Sequence, residues 1–417
     1  KSSKTDRNRR KVSGVPSWAP RRMLRGLVAA PTLIGGRLTP RSAVIPVALS
    51  AYRRPLGPLA ASAPCSCLWP AAAAASTAIA AAARRRAASA ASSMPAAAQA
   101  SVGSNEKFKV GLCQTAVDYD KTKSLANVRS AVDSAVAKGA QLVVIGEMMT
   151  CPYATKYFRE YGERLPAKGS SDPPCGEKAP TAKLLSDLAK EHKVWIVGGS
   201  LPELEGDKVY NTCLIFNPAG SIVARHRKVH LFDIDVAATD KRPAMKFKES
   251  DVLSPGETMT LVDLPWCRAG IGICYDVRFP EYALALRKKG AKFLIYPGAF
   301  NMTTGPAHWS VLTRGRANDA QCYVAMVSPS RSPDPKDYQA WGHTTLVSPW
   351  AEVAFEAEHE PGVWVVEVDP AEVDRIREQV PTSYQKRSDL YVPYADDTAE
   401  DDDAAAESRR KRARSSL

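Results

Sequence analysis

The chain has 417 residues and a formal net charge of +13 at pH 7, but the positive charge is confined to one end of the sequence. Residues 1–104 contain sixteen Lys and Arg and one acidic residue, whereas residues 105–394 contain equal numbers of basic and acidic residues. This neutral central part excludes a nucleic-acid-binding core that depends on a basic face. It is long enough for one large α/β domain, and no segment approaches the roughly 18 apolar residues of a membrane span.

The first 104 residues are rich in Ala, Ser, Arg and Pro and offer few large side chains for a core. Such a composition predicts a disordered leader and is typical of an organelle transit peptide. We expect a chloroplast location; a mitochondrion is the alternative, and a cytoplasmic form would follow from translation starting at Met94. Two alternatives for the leader remain: a purely disordered extension, or a basic segment that tethers the protein to nucleic acid or to a membrane. Residues 395–417 predict a second disordered segment, a charged tail.

The nine cysteines lack the paired spacing of a zinc site or a disulfide framework. This pattern indicates a reducing compartment. His226 and His230, spaced four residues apart, could suggest a metal site, but the sequence shows no third ligand beside them.

From Lys107 onward, short apolar segments alternate with helical patterns. Strands are predicted at 108–117, 141–147 and 194–200, and helices at 124–139 and 181–192. A hairpin is predicted for 210–218 and 221–231, with later strands at 269–276, 292–298, 322–330, 344–349 and 363–369 and helices at 280–289 and 307–320. This order predicts an α/β fold with a mixed sheet or sheets covered by helices, and a two-sheet sandwich with helices on its outer faces fits it.

Three polar residues share one placement, at or just after the end of an apolar strand: Glu147, Lys228 and Cys274. Taken singly, each has an ordinary explanation, because most free cysteines are small buried hydrophobes and a lysine after a strand is usually solvated. Together they provide a thiol nucleophile, an ammonium for an oxyanion and a carboxylate for proton transfer. A neighbouring cation, and the helix predicted soon after Cys274, would favour the thiolate.

Five segments in this order resemble the nitrilase superfamily of carbon–nitrogen hydrolases: "GEMMTCPY", "HRKVHLFDID", "FKESDVLSPGE", "GIGICYDVRFPE" and "YPGAFNMTTGPAHWSVLTRGRANDAQCYVA". Within it they are most similar to the omega-amidase branch, here as an organellar form of the plant or algal type. The resemblance implies an αββα four-layer sandwich over residues 105–394, without metal or cofactor. It also implies homodimers or larger assemblies, a small-molecule amide substrate, and no nucleic-acid or membrane partner.

The resemblance assigns Cys274 as the nucleophile, Lys228 as the electrostatic stabiliser, Glu147 as general base and acid, and Glu249 as a supporting glutamate. It implies hydrolysis of the terminal amide of 2-oxoglutaramate or 2-oxosuccinamate through a cysteine thioester. The oxyanion would rest against Lys228 and a backbone N–H near Tyr275.

The far carboxylate of such a substrate needs a cation, and Arg278 is the best candidate, since guanidinium pairs with carboxylate in a fork. A salt bridge from Arg278 to Glu281 is the structural alternative. Tyr153 is expected in a loop over the pocket. The predicted pocket lining is Phe300, Asn301, Met302 and Thr303, although a structural turn is possible there, whereas His308 and Trp309 are expected to help helix packing.

Other functions remain open. Related activities are a deaminated-glutathione amidase, an N-carbamoyl amine amidohydrolase or a true nitrilase. A catalytically idle scaffold is the alternative from another class.

Overall fold

The computed structural model describes residues 103–166, 177–240, 244–387 and 390. Almost all of the predicted leader and the whole predicted tail lie outside the described residues. The strands are β1 Phe108–Gln114, β2 Leu142–Ile145, β3 Trp195–Val197, β4 Leu201–Glu205, β5 Lys208–Phe216, β6 Ile222–Arg227, β7 Asp233–Val236, β8 Met245–Lys248, β9 Thr260–Asp263, β10 Arg268–Ile271, β11 Phe293–Pro297, β12 Tyr323–Val327, β13 Thr345–Val347, β14 Val353–Glu356 and β15 Gly362–Val368. The helices are α1 Lys121–Ala137, α2 Thr155–Phe158, α3 Pro180–His192, α4 Pro280–Lys288, α5 Gly305–Ala320 and α6 Pro370–Gln379.

Two large sheets form the centre of the fold. The first has the strand order β15-β1-β2-β3-β5-β4, with β6 paired to β5, and the second has the order β14-β13-β12-β11-β10-β9. The parallel strands lie in the middle of each sheet, where β1, β2 and β3 run together and β10, β11 and β12 run together. Strands β7 and β8 form a separate two-stranded ribbon.

The layers follow the order helix, sheet, sheet, helix. Buried residues of both sheets share one core, which includes Val110 and Val144 of the first sheet and Ile271 and Phe293 of the second. On the outer face of the first sheet, α1 and α3 pack against side chains such as Val143. Helices α4 and α5 cover the second sheet. The predicted αββα sandwich is therefore confirmed.

The apolar patterns explain these elements directly. All four residues of β2 are buried, because a strand covered on both faces needs an unbroken apolar run. Helix α1 begins after Asp120, whose side chain accepts a hydrogen bond from the Thr122 N–H. It ends just before Gly139, which adopts a φ of 88°.

One boundary differs from the sequence prediction in a way that matters for the site. The strand predicted over 269–276 ends at Ile271, and a 3₁₀ turn runs from Cys274 to Arg278. Gly272 lies against the ring of Tyr296, where a Cβ would come within 2.5 Å of a ring carbon. The chain therefore leaves the sheet two residues before Cys274. No helix among the described residues is long and apolar enough to cross a membrane.

Candidate active site

The three predicted strand-end residues meet between the two sheets. Glu147 follows β2, Lys228 follows β6, and Cys274 follows β10. Lys228 Nζ lies 3.1 Å from Glu147 Oε1, and neither side chain has any solvent exposure. Cys274 is also buried, and the charges of Glu147 and Lys228 both act on the pKa of its thiol. Side chains that are more than a hundred residues apart in the sequence therefore lie in one cluster.

Glu147 is held by donors on both carboxylate oxygens. Its Oε1 accepts hydrogen bonds from Asn211 Nδ2 at 2.8 Å and from Tyr153 Oη at 3.2 Å, in addition to Lys228. Its Oε2 accepts from the backbone N–H of Ala299 at 2.7 Å. Burial nevertheless raises the pKa of Glu147 above its usual value, against the opposing effect of Lys228. A carboxylate with a raised pKa accepts a proton more readily near neutral pH.

Lys228 lies between two carboxylates. Its ammonium is 3.0 Å from Glu249 Oε1 as well as 3.1 Å from Glu147 Oε1, and Glu249 is itself fully buried. The other oxygen of Glu249 accepts the N–H of Phe232 at 2.8 Å. Burial by itself would lower the pKa of Lys228, but the two carboxylates raise that pKa well above its ordinary value. Lys228 is therefore a fixed cation inside the protein.

The electrostatics of Cys274 are opposite to the sequence expectation of a favoured thiolate. Burial and the neighbouring Glu147 charge raise the pKa of Cys274 well above that of a free thiol, and Lys228 opposes this only in part. The site contains two carboxylates for one ammonium, so an additional thiolate would be unfavourable there. Cys274 is therefore a thiol at rest, and Glu147 is placed to take its proton when it attacks.

The nucleophile candidate also has an unusual backbone. Cys274 adopts a φ of +47°, the left-handed region that residues with a Cβ rarely occupy. Such conformations cost about 1–3 kcal/mol and persist only where surrounding contacts enforce them. The turn projects the residue beyond the end of β10, toward the other two strand ends.

Tyr153 contacts the buried carboxylates of the site directly, whereas the sequence predicted only a loop position over the pocket. Its hydroxyl lies 2.6 Å from Glu249 Oε1 and 3.2 Å from Glu147 Oε1, so it contacts both carboxylates that flank Lys228. Its ring stacks on Tyr338 with centroids 4.7 Å apart. Tyr153 therefore acts on the charge state of the site, besides shaping it.

We expect Tyr153→Phe to move the acid limb of the kcat/KM profile to higher pH. The single Tyr153 O–H proton serves two carboxylates, Glu249 at 2.6 Å and Glu147 at 3.2 Å. A carboxylate pair that loses a donor is harder to ionise, so the already raised pKa of Glu147 should rise further and the basic form should be lost at higher pH. The pH dependence of kcat/KM between acid and neutral pH measures this. Tyr161→Phe is the matched control, because the Tyr161 hydroxyl donates to the Tyr119 carbonyl and contacts neither Glu147 nor Glu249. An unmoved acid limb in Tyr153→Phe would contradict the expectation.

Arg278 has no carboxylate partner among the described residues. Its guanidinium lies over the ring of Phe300 at 4.8 Å and over that of Tyr275 at 5.5 Å, and Nη1 donates to His308 Nδ1 at 3.2 Å. Its Nε is buried without a hydrogen-bond partner. The alternative salt bridge to Glu281 is not among the ion pairs of the described part of the chain. Burial lowers the pKa of Arg278.

The segment 300–303 combines different placements. Phe300 and Asn301 are buried, Thr303 is half-buried, and Met302 is 41% exposed. Asn301 Oδ1 accepts the backbone N–H groups of Thr303 and Thr304, both at 2.9 Å, and so forms the turn that opens α5. The structural turn is therefore present. Pocket lining by these residues stays a prediction.

Helix packing is confirmed for Trp309, whose indole N–H donates to the His343 carbonyl at 2.6 Å. Its neighbour His308 instead contacts the guanidinium of Arg278. Among the described residues, no group of three or more His, Cys, Asp or Glu side chains is arranged to hold a metal ion.

A cavity of about 160 Å³ adjoins Glu147. Its wall includes Met148, Tyr153, Arg331 and Tyr338, and Cys274 is not part of this wall. The cavity is large enough to hold water, but the Glu147 carboxylate has no exposed surface facing it.

Sequence reasoning missed three groups that contact the site: the Asn211 amide, the Ala299 N–H and the Tyr338 ring. Asn211 carried a usable signal, since it interrupts the apolar run of β5 and a buried polar side chain needs a partner. The Ala299 N–H carried none, because its role depends on how β11 ends beside β2.

Comparison with known proteins agrees with this arrangement. The model of the carbon–nitrogen hydrolase family matches residues 109–378. Omega-amidase NIT2-A of Xenopus laevis is 45% identical over 285 residues, which are 68% of this chain and 97% of the relative. The chloroplastic omega-amidase of Arabidopsis thaliana is 43% identical over 298 residues, covering 72% of this chain and 77% of the relative. The crystal structure of Saccharomyces cerevisiae Nit3, a member of branch 10 of the nitrilase superfamily, is 38% identical, with a TM-score of 0.60 over 68% of this chain and 97% of that one.

Proposed function

The chain belongs to the carbon–nitrogen hydrolase family, and from this premise we propose that it is an omega-amidase with Cys274, Lys228 and Glu147 as its catalytic triad. The observation that carries the proposal is the buried Lys228 ammonium, fixed 3.1 Å from Glu147 and 3.0 Å from Glu249, beside a buried thiol. The protein is an amidase that acts on carbon–nitrogen bonds. Relatives matched over nearly their whole length carry the omega-amidase name.

In the first half-reaction, Cys274 Sγ attacks the amide carbonyl and Glu147 takes the thiol proton. The oxygen of the tetrahedral intermediate becomes negative, and the fixed charge of Lys228 stabilises it together with a backbone N–H near Tyr275. Glu147 then donates its proton to the amide nitrogen. The carbon–nitrogen bond breaks, ammonia leaves, and a thioester to Cys274 remains.

In the second half-reaction, Glu147 takes a proton from water, which attacks the thioester carbonyl. The carbon–sulfur bond breaks, and the proton returns to Cys274. The raised pKa of Glu147 suits both directions of transfer.

The proposed substrates are 2-oxoglutaramate and 2-oxosuccinamate, which carry a carboxylate at the end opposite to the amide. Arg278 is proposed to bind that carboxylate, because its guanidinium has no acidic partner among the described residues and its Nε is buried without one. A guanidinium held over Phe300 presents its edge in a fixed orientation, which favours two parallel hydrogen bonds.

We also propose a chloroplast location. The Arg- and Ser-rich leader supports an organellar protein, and one relative is named chloroplastic. Homodimers or larger assemblies stay a prediction that follows from the family resemblance.

Substrate comparison tests the proposed activity. We expect kcat/KM for 2-oxoglutaramate to exceed that for deaminated glutathione, a carbamoyl amine or a neutral short amide.

Arg278→Leu should raise KM for 2-oxoglutaramate by roughly 10–100-fold, as expected for a lost charge-assisted pair, and change that of the neutral amide little. Ammonia release measures each rate, and Arg314→Leu on the outer face of α5 is the control. Faster turnover of deaminated glutathione or of the carbamoyl amine would contradict the proposal, and an equal loss for the charged and neutral amides would contradict the role of Arg278.

A further inference from the structure

Asp276 is a fully buried carboxylate two residues after the nucleophile candidate, and the mechanism above does not use it. Its oxygens accept four hydrogen bonds. The donors are the Ile273 N–H at 2.8 Å, the His230 N–H at 2.9 Å, His230 Nδ1 at 2.8 Å and His226 Nε2 at 3.2 Å. The two histidines whose spacing resembles a metal pair are therefore both bound to this one carboxylate.

The bonds of Asp276 join the two chain segments that carry the reacting side chains. On one side, the carboxylate and the backbone N–H of Asp276 both bind Ile273, which closes the turn that places Cys274 at a φ of +47°. On the other side, His226 and His230 flank Lys228, two residues before it and two after it. One side chain thus fixes the nucleophile turn relative to the lysine segment.

The geometry points to Asp276, with His230 and His226, as a positioning group that holds Cys274 Sγ in register with Lys228 Nζ. This inference rests on the proposed roles of Cys274 and Lys228. The strained Cys274 turn needs enforcing contacts, and Asp276 provides them from its own turn and from the segment that carries Lys228. Misplacement of reacting groups by about 1 Å can cost 10²-fold in rate.

The network is anchored on its outer side as well. His226 Nδ1 lies 3.1 Å from Thr260 Oγ1 on β9, and the His230 ring stacks on Phe279 at 3.7 Å, next to Arg278 in the chain. The histidine and backbone donors hold the pKa of Asp276 well below its usual value, so the carboxylate stays charged across the working pH range. A charged acceptor gives stronger hydrogen bonds than a neutral one.

His230 offers the sharpest test, because its side chain is only partly buried and its replacement is tolerated more easily than that of Asp276. We expect His230→Leu to lower kcat by roughly 10–100-fold with KM changed less than about twofold. His230→Asn should restore most of the loss, since the Asn amide nitrogen can occupy the position of Nδ1 and donate to Asp276. Asp276→Asn should lower kcat at least as far as His230→Leu does. All rates are expressed per active site, titrated by alkylation of Cys274.

The rate of Cys274 alkylation by iodoacetamide is the second readout, and we expect it to fall in His230→Leu and to recover in His230→Asn. It does not depend on amide turnover. A wild-type enzyme without amidase activity would therefore contradict the proposed function, and the alkylation series would still decide this inference. His192→Leu is the matched control, because His192 pairs with Asp133 in the outer helix layer. Unchanged kcat and alkylation in His230→Leu, equal losses in the Leu and Asn variants, or a loss of titratable sites alone would overturn the positioning role.

Discussion

Cys274→Ala should lower the rate of amide hydrolysis by about 10⁴-fold or more, because members of a catalytic triad act as a unit and the remaining groups cannot form a covalent intermediate. The fold should be retained. Cys274 is buried and small, and Ala in its place keeps the same left-handed backbone with a similar strain. We therefore expect the thermal midpoint to change by only a few degrees. Ammonia release and a thermal unfolding curve of the same sample measure both effects.

Cys113→Ala is the control for the nucleophile. Cys113 is a free and fully buried cysteine of β1 that contacts the Ala131 carbonyl on the outer side of the first sheet, remote from the triad. Its loss should cost some stability and leave kcat unchanged. Retained turnover in Cys274→Ala would remove the basis of the proposed mechanism.

Lys228→Met should lower both activity and stability. Activity falls because the oxyanion loses its fixed cation, by roughly 10³-fold on the scale of a lost oxyanion-hole donor. Stability falls because Glu147 and Glu249 then face each other, buried and without a cation. Breaking a buried ion pair by removing one partner typically costs about 3–5 kcal/mol. Denaturant unfolding and ammonia release measure the two losses.

The stability loss in Lys228→Met should depend on pH with a definite sign. The pKa of Glu147 is already raised by burial, and loss of the Lys228 charge, which lowers it, should raise it further. A carboxyl with a raised folded-state pKa destabilises the protein as pH rises above the unfolded pKa. We therefore expect a larger loss of unfolding free energy at pH 8 than at pH 5. Lys246→Met is the control, because Lys246 forms an exposed pair with Asp235. A loss independent of pH would contradict the buried charge balance described above.

The strand-end positions of the triad could be predicted because short apolar runs have clear ends. "LVVIGE" stops at a carboxylate that a buried strand cannot accommodate without partners, and this signal is local. The contact at Gly146 could not be predicted in this way, because a Cβ there would come within 2.5 Å of the distant backbone at 328–329. The close approach of the two sheets that places Glu147 depends on this contact, which no local pattern contains.

The protonation state of Cys274 could not be predicted from the sequence for a related reason. One lysine and a nearby helix suggested a thiolate, but the balance depends on burial and on both glutamates, which come from distant parts of the chain. The role of His226 and His230 is similar. Their spacing is visible in the sequence, yet their partner Asp276 follows 46 residues after His230.

Rapid-quench mass spectrometry of the intact protein during turnover of 2-oxoglutaramate tests the central claim most directly. The account predicts a transient adduct with the mass of the substrate less ammonia, located on Cys274 after digestion, and absent in Cys274→Ala. Hydrolysis at full rate with no adduct on Cys274, or an adduct on another residue, would contradict it.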